Sequence, residues 1–165
     1  MRPSFNLFCN LTYDKPTIAA EIGVRHGDNA LDMVANHKNL ELFLIDSFKE
    51  SDCPDAEFTA REKLSNYSHR VNFFVEESES ASKFFRDKLF DYVYIDADHT
   101  YESVIKDLTN WWPKVKDTGI LAGHDYNMPS VEAAVRDFLD ETKVLFLVDD
   151  RSDGERVDFM IFRRR

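Results

Sequence analysis

Short runs rich in β-branched and aromatic residues recur along the chain at 17–22, 40–45, 71–75, 90–95, 119–122, 144–148 and 157–162. Between the first six lie segments whose apolar residues repeat at helical spacing, such as Leu31, Val34 and Ala35, or Val131, Ala134, Val135, Phe138 and Leu139. The order is therefore strand, helix, strand, helix. Unbroken apolar stretches such as Leu42-Phe43-Leu44-Ile45 and Tyr92-Val93-Tyr94-Ile95 imply burial on both faces, as in a parallel sheet covered by helices. The last two runs break the rhythm. The charged, Gly-containing connection at 149–155 is too short for a helical crossover and predicts a hairpin. The expected fold is α/β: a Rossmann-like, doubly wound, seven-stranded and mostly parallel sheet with one antiparallel strand and helices on both faces.

At 165 residues, with 43% hydrophobic and 32% charged positions, the chain suits one domain, 1–165, with a real core. Its net charge of −10 disfavours a nucleic-acid or anionic-lipid partner. Cys9 and Cys53 form no C-x-x-C pair and no disulfide framework, which fits a reducing cytoplasm. The apolar residues near the start are too few and too interrupted for a signal peptide, and no run is long enough to span a bilayer. A cytoplasmic protein with no membrane partner is expected.

Ligands of such sheets bind beyond the carboxyl ends of the strands, so those ends carry the chemistry. The first strand runs into Glu21-Ile22-Gly23-Val24-Arg25-His26-Gly27, an acid followed by G-x-x-x-G at the opening of a helix. Gly23 would let a ligand approach the backbone, Gly27 would permit a tight turn, and the helix start would offer free N–H groups. A tightly packed turn without a ligand is an equal reading of that motif taken alone. Asp46, at the tip of the second strand, is placed to accept hydrogen bonds from both hydroxyls of a ribose. Its replacement by Ala is expected to weaken cofactor binding with little loss of stability. Phe48 is a candidate cover for an adenine ring or a core residue, and Ser78 beside Glu77 either meets the adenine edge or caps the following helix.

The fourth strand ends in Asp96-Ala97-Asp98-His99 and the fifth in Gly123-His124-Asp125-Tyr126. Strands lie ~4.8 Å apart, so Asp96 and Asp125 converge on one hard cation such as Mg²⁺, on one polar group of a substrate, or cap the helices after them. His99 and His124 flank the same point as bases near neutral pH or as solvated loop residues. The aromatic and aliphatic residues Tyr101, Val104, Ile105, Leu108, Trp111 and Trp112 fall mostly on one helical face and read as core.

The G-x-x-x-G segment, Asp46 and the run Asp91-Tyr92-Val93-Tyr94-Ile95-Asp96-Ala97-Asp98-His99-Thr100-Tyr101-Glu102 together resemble class I S-adenosylmethionine-dependent methyltransferases. The similarity is greatest to the small-molecule branch of the macrocin and caffeoyl-CoA O-methyltransferases. The resemblance implies S-adenosylmethionine (SAM) as cofactor, with its methionine end at Glu21, Gly23 and Gly27, its ribose at Asp46 and its adenine near Glu77 and Ser78; Phe48 and Asp96 are further candidates for cofactor contact. It also implies a small-molecule methyl acceptor. In metal-dependent relatives the first Asp of D-A-D and a D-N pair hold the ion; these match Asp96 and Asp125. Tyr126 stands where the Asn is expected, so His124 or Asn127 supplies the third ligand or there is no metal. His99 occupies the place of those relatives' lysine base, with Asp96 and His124 completing the catalytic group.

Two other readings stay open. One is a catalytically degenerate fold that binds cofactor or partner, with a pocket left open or completed in a homo-oligomer because only about sixteen residues precede the first strand. The other is an NAD(P)-dependent oxidoreductase, which the missing G-x-G-x-x-G and the bulk of Arg25 disfavour.

Overall fold

The computed structural model describes residues 1–12, 15–50, 52–142, 144–149 and 157–163. Seven strands form one sheet: β1 (Thr17–Ile22), β2 (Leu40–Asp46), β3 (Val71–Val75), β4 (Phe90–Ile95), β5 (Val115–Gly123), β6 (Val144–Asp149) and β7 (Asp158–Arg163). Their order is β3-β2-β1-β4-β5-β7-β6. Pairings among β1 to β5 are parallel, and β7 lies antiparallel between β5 and β6. The expected fold class is the one observed. β5 starts four residues earlier than its apolar run, and the predicted hairpin connection lies largely outside the described residues.

Strand order reverses between β1 and β4, and two cores sandwich the sheet. Ala19, Leu42, Leu44, Tyr92, Tyr94 and Met160 face α1 (Pro3–Thr12), α2 (Asp28–Asn36) and α3 (Ala56–Lys63). Ala20, Ile22, Val93, Ile95 and Leu121 face α4 (Ser78–Ser82), α5 (Tyr101–Trp111) and α6 (Pro129–Glu141). The period-2 alternation of each strand thus feeds two apolar layers. Val104, Leu108 and Trp111 are buried, as the helical spacing of α5 predicts. Among the described residues no helix is long and apolar enough to cross a membrane.

The helix α1 is absent from the sequence reading, which tested this segment only as a signal peptide. Phe5 and Phe8, three residues apart, bury their rings against Tyr92 at centroid distances of 5.4 and 4.9 Å. A polar anchor lies beside them. Asp158, wholly buried at the start of β7, accepts hydrogen bonds from the Ser4 N–H (3.1 Å), the Ser4 hydroxyl (2.6 Å) and the Tyr94 hydroxyl (3.0 Å). A carboxylate at the first turn of a helix also suits the helix dipole. Three buried donors share this one acceptor, so Asp158→Ala leaves them unsatisfied and is expected to cost about 3 kcal/mol. Urea unfolding should show a lower midpoint at unchanged slope; a midpoint equal to that of the wild type would show that the anchor contributes nothing.

Candidate active site

Strand register brings the tips of five neighbouring strands, β3, β2, β1, β4 and β5, into one row. The N–H groups of Gly23, Asp96 and His124 donate to the carbonyls of Ile45, Ile22 and Ile95 at 2.9, 2.8 and 3.1 Å, and Glu76 N–H donates to Asp46 at 3.1 Å. Above this row opens a cleft of about 1170 Å³ lined by Arg2, Glu21, Gly23, Asp46, Glu77, Ser78, Asp96, His99, Asp107, His124 and Asp125, among others. Its size exceeds the ~300–1,000 Å³ usual for a single small ligand, so two reactants fit side by side. A smaller concavity of about 630 Å³ between Arg61 and Phe73 carries none of these carboxylates.

Each carboxylate in the row is compensated differently. Glu21 is 1% exposed and accepts one hydrogen bond, from Asn29 at 3.0 Å, while its Oε2 has no partner. Burial, more than the neighbouring Asp96 and Asp46, pushes its carboxyl up to about 8 against the stabilising Asn29 bond and the charge of Arg2. Asp46 instead accepts three backbone N–H groups: Val24 at 2.8 Å and Arg25 at 2.9 Å on Oδ2, and Phe48 at 2.7 Å on Oδ1. A carboxylate has about four acceptor positions, so one remains for a ribose hydroxyl rather than room for the pair expected. Asp46 also ties the glycine turn to the β2 exit. Loss of these three bonds in Asp46→Ala is expected to lower stability, where the sequence alone predicts little loss.

Asp96 takes its compensation from the residue just before α1: Arg2 NH2 lies 3.1 Å from its Oδ2. Asp125 has two imidazoles, His99 Nε2 at 2.9 Å and His124 Nδ1 at 3.0 Å. The carboxylates of Asp96, 3.7 Å from its Nε2, and of Asp125 hold His99 above its ordinary value, outweighing partial burial. Neither acid caps a helix. At α5 that task falls to Thr100, whose hydroxyl oxygen accepts from the Ser103 N–H, while Asp98 accepts from the Thr100 N–H and from the Thr100 and Ser103 hydroxyls.

Asp96, His124 and Asp125 offer ligand atoms within 4.8 Å of one another. The set mixes carboxylate oxygens with an imidazole nitrogen, whereas Mg²⁺ favours oxygen and water. Arg2 already places positive charge on Asp96, and His99 and His124 adjoin Asp125. The repulsion that called for an ion in the sequence reading is relieved by these side chains. The arrangement does not fit a resident Mg²⁺, and no catalytic step need pass through one.

The glycine turn follows the packing reading as well. Gly23 has φ +85°, and a Cβ there would strike the Asp96 carbonyl and stand 2.7 Å from Ala97 Cα. Its small size lets β1 and β4 exit side by side. Gly27, at φ +74°, precedes α2 with Ala60 close by. Phe48 packs against the core on the α1–α3 side and is not among the residues lining the cleft. Ser78 donates to Asp107 and accepts from Trp111 Nε1 at 2.9 Å, and the helix cap position belongs to Glu77. Sequence reasoning missed Arg2 and Asp107. Burial raises the Asp107 carboxyl to about 6, opposed by its Ser78 hydrogen bond.

The sequence profile of a family described as "Methyltransferase domain" matches residues 20–126, which contain every one of these positions except Arg2. No curated protein matches the chain. Among solved structures, an S-adenosylhomocysteine-bound methyltransferase from Podospora anserina superposes with a TM-score of 0.75 at 15% identity, covering 98% of this chain and 78% of that one. An rRNA methylase from Streptococcus thermophilus gives 0.72 at 12%, covering 100% and 98%. An O-methyltransferase family protein from Burkholderia thailandensis gives 0.69 at 16%, covering 98% and 55%. At these identities the superpositions establish a shared fold.

The burial of Glu21 carries a pH signature. The folded chain keeps its proton up to about pH 8 while the unfolded chain ionises near 4.5, so between those values stability falls as pH rises. Glu21→Gln needs no proton and should flatten that decline by a few kcal/mol. Urea unfolding at pH 5, 6.5 and 8 measures it; parallel declines in both proteins would refute the assignment.

Proposed function

Given that the chain belongs to the methyltransferase-domain family, we propose that it moves a methyl group from SAM to a small molecule bearing a hydroxyl. The observation that carries this reading is the row of strand tips itself. Glu21, Gly23 and Asp46 stand together on one cleft wall, with His99 and His124 further along. An amino acid, a sugar and an acceptor can then be held in sequence.

SAM supplies an electrophilic methyl on a sulfonium, and transfer is an in-line displacement governed by alignment. Asp46 holds a ribose hydroxyl through its remaining acceptor position. Glu21 meets the methionine ammonium, which restores a charge partner to the buried carboxylate. Ser78, oriented by Asp107 and Trp111, lies at the adenine end with Glu77. His99, braced by Asp125, takes the proton from the acceptor hydroxyl, with His124 and Asp96 fixing the polar surroundings. The acidic residues of the cleft, Asp28, Glu50, Asp52, Glu76 and Glu79 among them, outnumber Arg2, Arg25 and Lys106. That balance favours a cationic cofactor over its neutral product, and a small acceptor over an RNA polyanion.

Calorimetry on the whole chain tests the cofactor. Binding of one equivalent of S-adenosylhomocysteine and none of NAD is expected, with Asp46→Ala weakening it roughly tenfold or more. NAD binding alone would contradict the reading. Isotopic methyl transfer to a panel of hydroxylated small molecules, beside ribosomal RNA, separates the acceptor classes; labelled RNA alone would overturn the small-molecule assignment, and binding without transfer to anything would mark a degenerate fold. As a base, His99 must be neutral, so the rate should climb with pH through a value above 6.5. His99→Gln should lose that limb and roughly 10²–10⁴-fold in rate; a wild-type profile in the variant would remove His99 from the step.

A further inference from the structure

The methionine end of SAM is a zwitterion, and the cleft wall offers two buried groups of opposite charge with unused capacity. Glu21 leaves Oε2 without a partner, and Arg2 leaves NH1 without one. Both line the same cleft, and each bears on the other's ionisation: the charge of Arg2 lowers the Glu21 value and that of Glu21 raises the Arg2 value. Arg2 NH2 is engaged with Asp96 at 3.1 Å, so the planar guanidinium has a fork to spare. The side chain is only 19% exposed, and its carbon Cζ lies 5.8 Å from the centre of the Tyr94 ring.

We propose that Arg2, immediately before α1, binds the carboxylate of the cofactor's methionine portion while Glu21 binds the ammonium. The assignment rests on the SAM reading above and extends it beyond the matched family segment, which starts at residue 20. The fixed part of the device is the seat of α1. Ser4 is held by Asp158 and Tyr92, and Phe5 and Phe8 are packed on Tyr92, two to six residues from Arg2. The N-terminal helix thereby closes one end of the cleft with a residue that recognises α-amino acids.

Calorimetry with two ligands reads this directly: S-adenosylhomocysteine, and its decarboxylated analogue, which keeps the amine, sulfur and adenosine. The wild type should prefer the carboxylated ligand by roughly 10- to 100-fold. Arg2→Met should lose that preference while binding the decarboxylated analogue within about twofold of the wild type, and Arg2→Lys should keep part of it. Equal affinity of the wild type for both ligands overturns the proposal without any variant. So does an Arg2→Met protein that retains the preference, or one that loses both ligands in equal measure. Failure of the wild type to bind either ligand removes the SAM reading and the Arg2 assignment with it, whereas S-adenosylhomocysteine binding indifferent to Arg2 removes only the latter.

Discussion

Four carboxylates stand in a row along the carboxyl edge of the sheet, at the ends of the neighbouring strands β2, β1, β4 and β5, and the molecule has to tolerate their charge. It does so with four different devices. Asp46 is held by backbone N–H groups, Glu21 by retaining a proton, Asp96 by Arg2 and Asp125 by two imidazoles. Each device also fixes a function. The backbone bonds shape the glycine turn, burial leaves Glu21 Oε2 without a partner, the guanidinium ties the start of the chain to the cleft, and the His99 imidazole gains basicity. A cationic, zwitterionic nucleoside is the chemical counterpart of such an edge.

The sheet supplies the rigidity that this arrangement needs. Because the row of tips is set by parallel register, a shift of one residue in any strand would turn its tip side chain to the other face. Two apolar layers prevent that, one of them closed by α1 through Phe5, Phe8 and the buried Asp158. The helix that completes the core is the same one that brings Arg2 to Asp96. Packing on the α1–α3 side and charge balance in the cleft are therefore coupled through a few residues at the start of the chain.

Much of this was legible in the sequence because it is local. Strand limits at 17–22, 71–75 and 90–95 follow from runs of β-formers, and Asp46, Gly23, Asp96 and Asp125 stand out as residues placed just past apolar strands. What was hidden depends on pairs distant in sequence. Arg2 and Asp96 are 94 positions apart, and Ser4 and Asp158 are 154 apart. No spacing rule connects them. The α1 periodicity was present in Phe5 and Phe8, but a segment of ten residues with two asparagines reads as helix only once the tyrosines of β4 give it a surface to cover. Gly23 illustrates the opposite case, since its need for a small residue comes from a neighbouring strand as much as from any ligand.

The central claim is that this charged edge grips one nucleoside across adjacent strands. A crystal structure of the chain with S-adenosylhomocysteine tests it most directly. The account predicts density with the ribose at Asp46 and the amino-acid end between Glu21 and Arg2. A ligand bound elsewhere, or with its sugar and amino-acid ends exchanged along the row, would contradict it.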